Sequence, residues 1–247
     1  MNHPLVFDPR QVPWTLQSGH WPRIQPENLT AERLRAVFQN PPAWSPELKR
    51  EPQLGLKEPA AAAVLVPIVL RGSQGKYPQV LLTQRTQNLS SHPGQIAFPG
   101  GKVDAADASI EHAALREAQE EVGLLPQHVQ VIGTLPNYIT GTAFHITPVV
   151  GLVSAEMSIT PNPFEVEDVF EVPLAFLMNP LNHRFHEFER EGVLRSWYSM
   201  PYMESSGNSV NKSPGSKPES SKERFIWGAT AGMIRNLYRF LLAANSL

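Results

Sequence analysis

Cysteine is absent from the 247 residues of this chain. Its absence excludes disulfide bonds, thiolate metal ligands and a thiol nucleophile. A chain without cysteine is compatible with the cytoplasm, which is the location we expect. The sequence also lacks an apolar run of about 18 residues, so we expect no transmembrane helix. Its first residues do not combine a basic start with an apolar stretch, and they therefore do not predict a secretory signal.

The chain has no strong excess of charge of either sign. Lysine and arginine number 21, aspartate and glutamate number 23, and the formal net charge is −2. This balance gives no sign of the basic field that attracts nucleic acid, so we expect a small-molecule partner, with neither nucleic acid nor membrane involved. Hydrophobic residues make up 41% of the sequence, which is enough for a core, and the length suits one domain with a small appendage.

The segment between Ser109 and Gly123 is predicted to form a helix. Ser109 is a good N-cap, and Gly123 stands where a helix would end. Glu117, Glu120 and Glu121 are spaced i, i+3 and i+4, so they share one helical face. The adjacent face is apolar and consists of Ala114, Leu115, Ala118 and Val122.

Three carboxylates on one face repel each other, by about 0.2–0.5 kcal/mol for each i,i+4 pair. Arg116 lies one turn before Glu120 and offsets part of this repulsion. A divalent cation would offset more, since hard ions such as Mg²⁺ prefer carboxylate and carbonyl oxygens and are often shared with substrate phosphates. A solvated acidic face would have the same composition. The tight turn at residues 99–101, just before the helix, favours the metal site.

Residues 98–124 resemble the Nudix box, the signature of the Nudix hydrolases. The family pattern is G-x5-E-x7-R-E-U-x-E-E-x-G-U, where U is an apolar residue. Its second half is matched at every fixed position, by Arg116, Glu117, Ala118, Glu120, Glu121, Gly123 and Leu124. The first half is one residue too long between Gly101 and Arg116, so the early acid position falls on either Asp107 or Ala108.

This resemblance implies a Nudix-type α/β/α sandwich with a mixed β-sheet over roughly residues 60–245, and Mg²⁺ or Mn²⁺ as cofactor. The implied metal ligands are Glu117, Glu120, Glu121 and the carbonyl of Gly101. Arg116 would orient the glutamates through charge-assisted hydrogen bonds. The general base stays open between Glu120, Glu165 and Glu167.

A second signature precedes the box. The run LLTQRT at residues 81–86 is followed by Leu89, His92, Gly94 and the FPGG run at residues 98–101. This is similar to the extra motif of the coenzyme A pyrophosphatase branch of the family, roughly LLTxRS…LRxHxGxxxFPGG, although Ser90 replaces its usual basic residue. The C-terminal IWGATA at residues 226–231 also looks like that branch.

The second resemblance implies that coenzyme A and its thioesters are cleaved at the diphosphate. The implied substrate-binding residues are Arg85, His92, Gly100 and Lys102. Recognition of the 3′-phosphate of coenzyme A calls for a cation, and Arg85 is the nearest candidate within the motif.

The rest of the chain is interpreted as an N-terminal arm, residues 1–58, and a Nudix domain, residues 59–247. The arm contains a short helix and a linker and can pack on a neighbour, so a homodimer is an expectation. Predicted strands cover residues 60–70, 79–85, 129–134, 146–153, 184–189, 193–200 and 225–228, and predicted helices cover residues 29–38 and 229–244.

Three features inside the domain carry their own predictions. Pro67 implies that its strand is an edge strand or has a bulge. Residues 165–170 are interpreted as a short acidic segment before a helix that starts at residues 172–174. Residues 204–223 contain almost no apolar side chains and are predicted to be a flexible insertion.

Three other functions are weighed against coenzyme A cleavage. The first is a Nudix hydrolase of nucleotide sugars or nucleoside triphosphates. The second is a non-catalytic Nudix-fold nucleotide sensor, which the intact set of glutamates disfavours because a sensor does not need a metal cluster. The third is an interaction protein that uses its N-terminal arm.

Overall fold

The computed structural model describes residues 7–17, 21–48, 50–51, 60–89, 92–190, 192–204 and 221–245. Its helices within these ranges are α1 (Ala31–Gln39), α2 (Ile110–Val122), α3 (Leu174–Leu177) and α4 (Gly228–Asn245). The strands there are β1 (Trp14–Leu16), β2 (Ala60–Arg71), β3 (Tyr77–Arg85), β4 (Ile96–Ala97), β5 (Gly100–Lys102), β6 (Val129–Thr134), β7 (Tyr138–Ile139), β8 (Phe144–Val153), β9 (Val166–Pro173), β10 (Arg184–Arg190), β11 (Val193–Glu204) and β12 (Lys222–Trp227). None of these helices combines the length and hydropathy needed to cross a bilayer.

The main sheet is mixed and is built around β2. Its order is β4-β3-β2-β8-β6, with β5 added to β2, β7 to β8 and β9 to β3. The β2–β8 pair is parallel, and the other pairs are antiparallel. A long parallel strand at the centre needs cover on both faces, which explains why β2 is almost continuously apolar.

Helices and a second sheet supply this cover. Helix α2 packs on one face, where the predicted apolar residues Ala114, Ala118 and Val122 are fully buried. The other face packs against α1, α3, α4 and a second sheet of order β1-β10-β11-β12. The mixed sheet between helical layers confirms the α/β fold predicted from the Nudix resemblance.

The second sheet joins the N-terminal arm to the rest of the molecule. Strand β1 of the arm pairs with β10, with Thr15 opposite Phe185. Leu29 and Leu34, from the arm's short helical region, are buried in the core beneath the sheet. Thr30 caps that region, since its hydroxyl accepts a hydrogen bond from the Arg33 N–H at 3.3 Å. The boundary at residue 58 stays a prediction, because residues 52–59 lie outside the described ranges.

The prediction that Pro67 marks an edge strand or a bulge was wrong. Strand β2 is central, and β8 pairs with it along nearly its whole length. On the opposite side, β5 pairs with residues 62–64 and β3 pairs with residues 68–71. Pro67 lies in the gap between these two partners, where its missing N–H leaves no ladder hydrogen bond unmade.

The acidic segment at residues 165–170 is mostly strand. Val166–Pro173 pairs with β3, and α3 that follows is only one turn long. Val169, Phe170 and Val172 are fully buried, and the acidic residues between them obscured this pattern in the sequence. The predicted flexible insertion falls largely on residues 205–220, outside the described ranges. At its base, Glu204 and Lys222 are paired across β11 and β12.

Candidate active site

The glycine turn lies against helix α2 because β5 pairs with the first half of β2. Gly100 (φ +158°) passes so close to β2 that a Cβ there would lie 2.4 Å from the carbonyl oxygen of Ala63. A Cβ on Gly101 would lie 2.5 Å from Oε2 of Glu117. Only glycine lets the backbone approach both the strand and the carboxylate this closely.

Helix α2 begins and ends as its sequence predicts. The hydroxyl of Ser109 accepts a hydrogen bond from the N–H of His112 at 3.2 Å, and Gly123 adopts the left-handed conformation that ends the helix. The caps fix the two ends of α2, and the helix in turn fixes the backbone positions of Glu117, Glu120 and Glu121 beside the glycine turn.

Glu121 is the most deeply buried of the three helix carboxylates, with 4% exposure. It accepts a hydrogen bond from the N–H of Gly100 at 3.3 Å, and Nη1 of Arg85 lies 3.6 Å from its other oxygen. Burial raises the pKa of Glu121 to about 7, against the lowering effect of Arg85 and the Gly100 N–H. The negative charges of Glu165 and Glu117 raise this pKa further.

Glu117 is part-buried above the turn. Burial raises its pKa, the hydrogen bond from Arg116 lowers it, and the charges of Glu120 and Glu165 raise it again. Glu165 therefore acts electrostatically on both Glu117 and Glu121. Its position is set from β3, because the N–H of Thr86, next to Arg85, donates to the Glu165 carbonyl at 3.0 Å.

Arg116 connects the helix to the loop before it. Its Nη1 donates to Glu117 at 2.9 Å and to Glu120 at 3.0 Å, and its Nη2 donates to the carbonyl of Lys102 at 3.1 Å. Asp107 accepts from Nε and Nη2 of Arg116, both at 2.9 Å. These hydrogen bonds hold the pKa of Asp107 below its usual range. Asp107 thus provides the early acid that the spacing alone left open between two positions.

The donor set fits a hard divalent cation. Glu117 and Glu121 carry raised pKa values because nearby positive charge does not fully compensate for their burial. The carboxylate oxygens of Glu117 lie 2.5 and 2.7 Å from the position that a Cβ on Gly101 would occupy. Carboxylate and carbonyl oxygens are the ligands of Mg²⁺ and Mn²⁺. In the described residues no three acidic or histidine side chains lie close enough together to hold a metal ion, and the side chain of Glu120 is 58% exposed and paired with Arg116.

A cavity of about 530 Å³ opens beside the glycine turn. Its lining includes the substrate-binding residues expected from the sequence, which are Arg85, His92, Gly100 and Lys102, as well as Gly101. His92 lies in a left-handed turn (φ +55°) and its Nδ1 lies 2.9 Å from Oε1 of Gln95. The structure therefore brings these residues to one cavity. Glu165 does not line this cavity, but its charge raises the pKa of Glu117 and Glu121.

The far wall of this cavity was not predicted from the sequence. Its aromatic rings come from the N-terminal arm and from the second sheet, and they belong to Phe7, Phe188, Trp197 and Trp227. Arg195 also lines this wall. Arg195 and Trp197 alternate along one strand, which is a weak signal, and nothing local indicated that Phe7 would join them.

Comparisons with known proteins show the family to which this chain belongs. The NUDIX domain matches residues 61–194. The "Uncharacterized Nudix hydrolase NudL" of Shigella flexneri serotype 5b is 40% identical over 214 residues, which cover 85% of this chain and 94% of that protein. The protein of the same name from Cronobacter sakazakii is 41% identical over 213 residues, covering 85% and 93%.

Solved structures give weaker matches. A C. elegans Ap4A hydrolase binary complex is 21% identical, with a TM-score of 0.38, and the match covers 47% of this chain and 80% of that one. The domain match and the relatives that are about 40% identical show the family without these structures. This chain belongs to the Nudix hydrolase family and is a pyrophosphohydrolase of a nucleoside diphosphate derivative.

Proposed function

We propose that this Nudix hydrolase cleaves the diphosphate bond of coenzyme A and its thioesters, giving 3′,5′-ADP and a 4′-phosphopantetheine product. One observation carries the proposal. Arg85, from the LLTQRT run, and Gly100, from the FPGG run, both contact the carboxylate of Glu121 in the Nudix helix. The two signatures therefore form one site, as expected if the first positions the substrate that the second cleaves.

Glu117, Glu120, Glu121 and the Gly101 carbonyl are the groups that would hold Mg²⁺ or Mn²⁺. When bound, the ion would neutralise diphosphate charge and lower the pKa of a coordinated water. Arg116 orients Glu117 and Glu120, and Asp107 fixes Arg116 in turn. Arg85 and Lys102 add positive charge beside the turn, where the diphosphate would lie.

The attacking water needs a base, and we favour the carboxylate of Glu165. Its charge acts on both Glu117 and Glu121, whereas Glu120 is largely exposed and hydrogen-bonded to Arg116. Glu165 would accept the proton from the water as the oxygen attacks phosphorus, and the other phosphate would leave. The third candidate, Glu167, has an exposed side chain on β9.

Product analysis on a panel of diphosphates tests this function. The panel comprises coenzyme A, acetyl-coenzyme A, dephospho-coenzyme A, ADP-ribose, a nucleotide sugar and a nucleoside triphosphate, each with Mg²⁺ and with Mn²⁺. We expect coenzyme A to give 3′,5′-ADP with the highest kcat/KM. Dephospho-coenzyme A should be roughly 10- to 150-fold worse, because a cation would lose its phosphate partner. A preference for ADP-ribose or a triphosphate would reject the substrate assignment.

A further inference from the structure

The aromatic wall of the cavity is built by the second sheet. Arg195 and Trp197 alternate on β11 and therefore share one face. Phe188 lies directly opposite Arg195, and Trp227 lies opposite Ser199, which is on the same face two residues beyond Trp197. The register of three strands thus brings Phe188, Trp197 and Trp227 together with the guanidinium-bearing Arg195 on the side that lines the cavity.

Phe7 adds a fourth ring from the N-terminal arm. Its centroid lies 5.4 Å from that of Phe188 and 5.5 Å from that of Trp197, and the latter pair meets edge to face. Phe7 remains 37% exposed, so it forms the rim of the wall rather than part of the core.

Trp197 is held in a fixed orientation by its cross-strand neighbour, His186. The imidazole of His186 stacks on it at 5.3 Å with an interplanar angle of 3°. His186 is itself fixed, because its Nδ1 lies 3.0 Å from the carbonyl of Val12 and its Nε2 lies 2.8 Å from the hydroxyl of Ser199. The indole is therefore a rigid surface before any ligand arrives.

Two buried donors on this wall have no hydrogen-bond partner among the residues that the structure describes. They are Nε of Arg195 and Nε1 of Trp197, and such groups are rare because unmade hydrogen bonds are costly. The buried arginines Arg224 and Arg235 are differently placed, because each pairs with a carboxylate. The two side chains that carry these donors both line the cavity. A guanidinium there is suited to an anionic group of a ligand, and the adjacent rings are suited to a planar group.

We propose that Phe7, Phe188, Trp197, Trp227 and Arg195 form a subsite for the nucleotide half of the substrate. A purine base packs against the rings, and a phosphate on its ribose pairs with Arg195. This assignment rests on the proposed function, since it divides a substrate between the diphosphate end of the cavity and the aromatic end. The cavity, at about 530 Å³, is within the range of nucleotide-sized sites.

The assignment also separates the roles of two arginines. Arg85, expected from the motif to recognise the 3′-phosphate, lies beside the glycine turn with Nη1 3.6 Å from Glu121. It is therefore suited to the diphosphate end. A pantetheine arm on the aromatic wall would bring no anion to Arg195, which is why the nucleotide half is the better occupant.

The test is direct binding of two nucleotides to the full-length protein in excess chelator, measured by calorimetry, so that no turnover is involved. The probes are 3′,5′-ADP and 5′-AMP, which differ only in the 3′-phosphate. Arg195→Gln should weaken 3′,5′-ADP binding by roughly 10- to 150-fold and leave 5′-AMP nearly unchanged. The matched control is Arg184→Gln, because Arg184 lies on the same sheet, packs over Trp14 at 4.6 Å and does not line the cavity.

A second variant probes the rings without disturbing the core. Phe7→Ala should weaken both nucleotides by about fivefold or more, since stacking does not distinguish them. Trp14→Ala, at an exposed aromatic on the same sheet, should weaken neither. An Arg195→Gln protein that keeps the wild-type ratio of the two affinities would overturn the subsite.

The same series identifies the opposite arrangement. If Phe7→Ala changes the KM for long-chain thioesters but the affinity of neither nucleotide, the wall binds the acyl arm and our assignment is wrong. Failure of the proposed function is recognised separately, by a wild-type protein that does not cleave coenzyme A at all.

Discussion

Glu121 is a buried carboxylate in the candidate active site, so its burial lowers stability at a position that the proposed function needs. A carboxylate with 4% exposure is unfavourable unless something offsets its charge, and Arg85 together with the Gly100 N–H offsets it only in part. The part of the Glu121 charge that is not offset would attract a divalent cation. Glu120, one residue earlier, is exposed and paired with Arg116, so the two side chains start from different environments although they share a helical face.

Glu120→Gln and Glu121→Gln are each expected to lower kcat by orders of magnitude. Removing one electrostatic stabiliser of a transition state costs about 10²–10³ in rate, and loss of a metal costs more. The measurement is kcat on the preferred diphosphate, with circular dichroism to verify the fold. Glu187→Gln, at an exposed position on β10, is the control and should keep wild-type turnover. Full activity in both helix variants, or turnover in excess chelator, contradicts the assignment.

At the scale of elements, α4 is joined to α3 and the arm through one buried polar cluster. His183 lies at its centre, with Nε2 2.7 Å from the carbonyl of Leu177 and Nδ1 3.2 Å from Nη1 of Arg235. Arg235 pairs in turn with Glu47 of the arm at 3.0 Å. Because the cluster is buried, any of its polar groups left without a hydrogen bond would destabilise the fold.

The cluster predicts lower stability in acid. Burial lowers the pKa of His183 from 6.5 to about 4, with Arg235 lowering it and Glu47 raising it, while the rings of Tyr198 and Tyr238 pack around it. Because the folded state holds the neutral imidazole, stability is full above pH 6.5 and falls as the unfolded state takes up a proton. The expected loss is about 2 kcal/mol of unfolding free energy between pH 7 and pH 5.

Urea denaturation at both pH values measures this loss. His183→Gln can keep both hydrogen bonds but cannot titrate, so it should remove this part of the pH dependence. An identical pH dependence in the variant and the wild type would assign the effect to other groups. His186 is the first alternative, since burial lowers its pKa as well.

At the scale of the whole molecule, an additional sheet and the N-terminal arm enlarge the Nudix domain on the side of the cavity. Strands β10, β11 and β12 supply the wall, and β1 continues the same sheet. Their connection through residues 205–220 is compositionally different from all of this, being rich in Ser, Pro, Gly, Asn and Lys.

We expect residues 205–220 to be dispensable. Their composition cannot offset the entropy of ordering by burial, and Glu204 and Lys222 are already paired at the base of the segment. Replacement by a short Gly-Ser turn should leave Tm and kcat/KM near their wild-type values. A marked fall in kcat/KM alone would mean that the segment contributes to the site, and a fall in Tm that it contributes to the fold.

The sequence by itself determined the features that follow from local rules. Helix α2, its caps and the shared face of its glutamates depend on neighbours within one or two turns, and each is present as predicted. The two-signature pattern likewise predicted the fold and the carboxylate helix, because motif spacing is a property of the chain alone.

Only the tertiary structure decided which distant groups meet. The pairing of Arg85 with Glu121, the approach of Glu165 and the choice of Asp107 as partner of Arg116 depend on how strands and loops pack. The central position of β2 despite Pro67 depends on where two other strands end. Phe7 reaches the aromatic wall for the same reason: side-chain contacts between segments far apart in sequence are fixed by sheet register and packing, which no local pattern encodes.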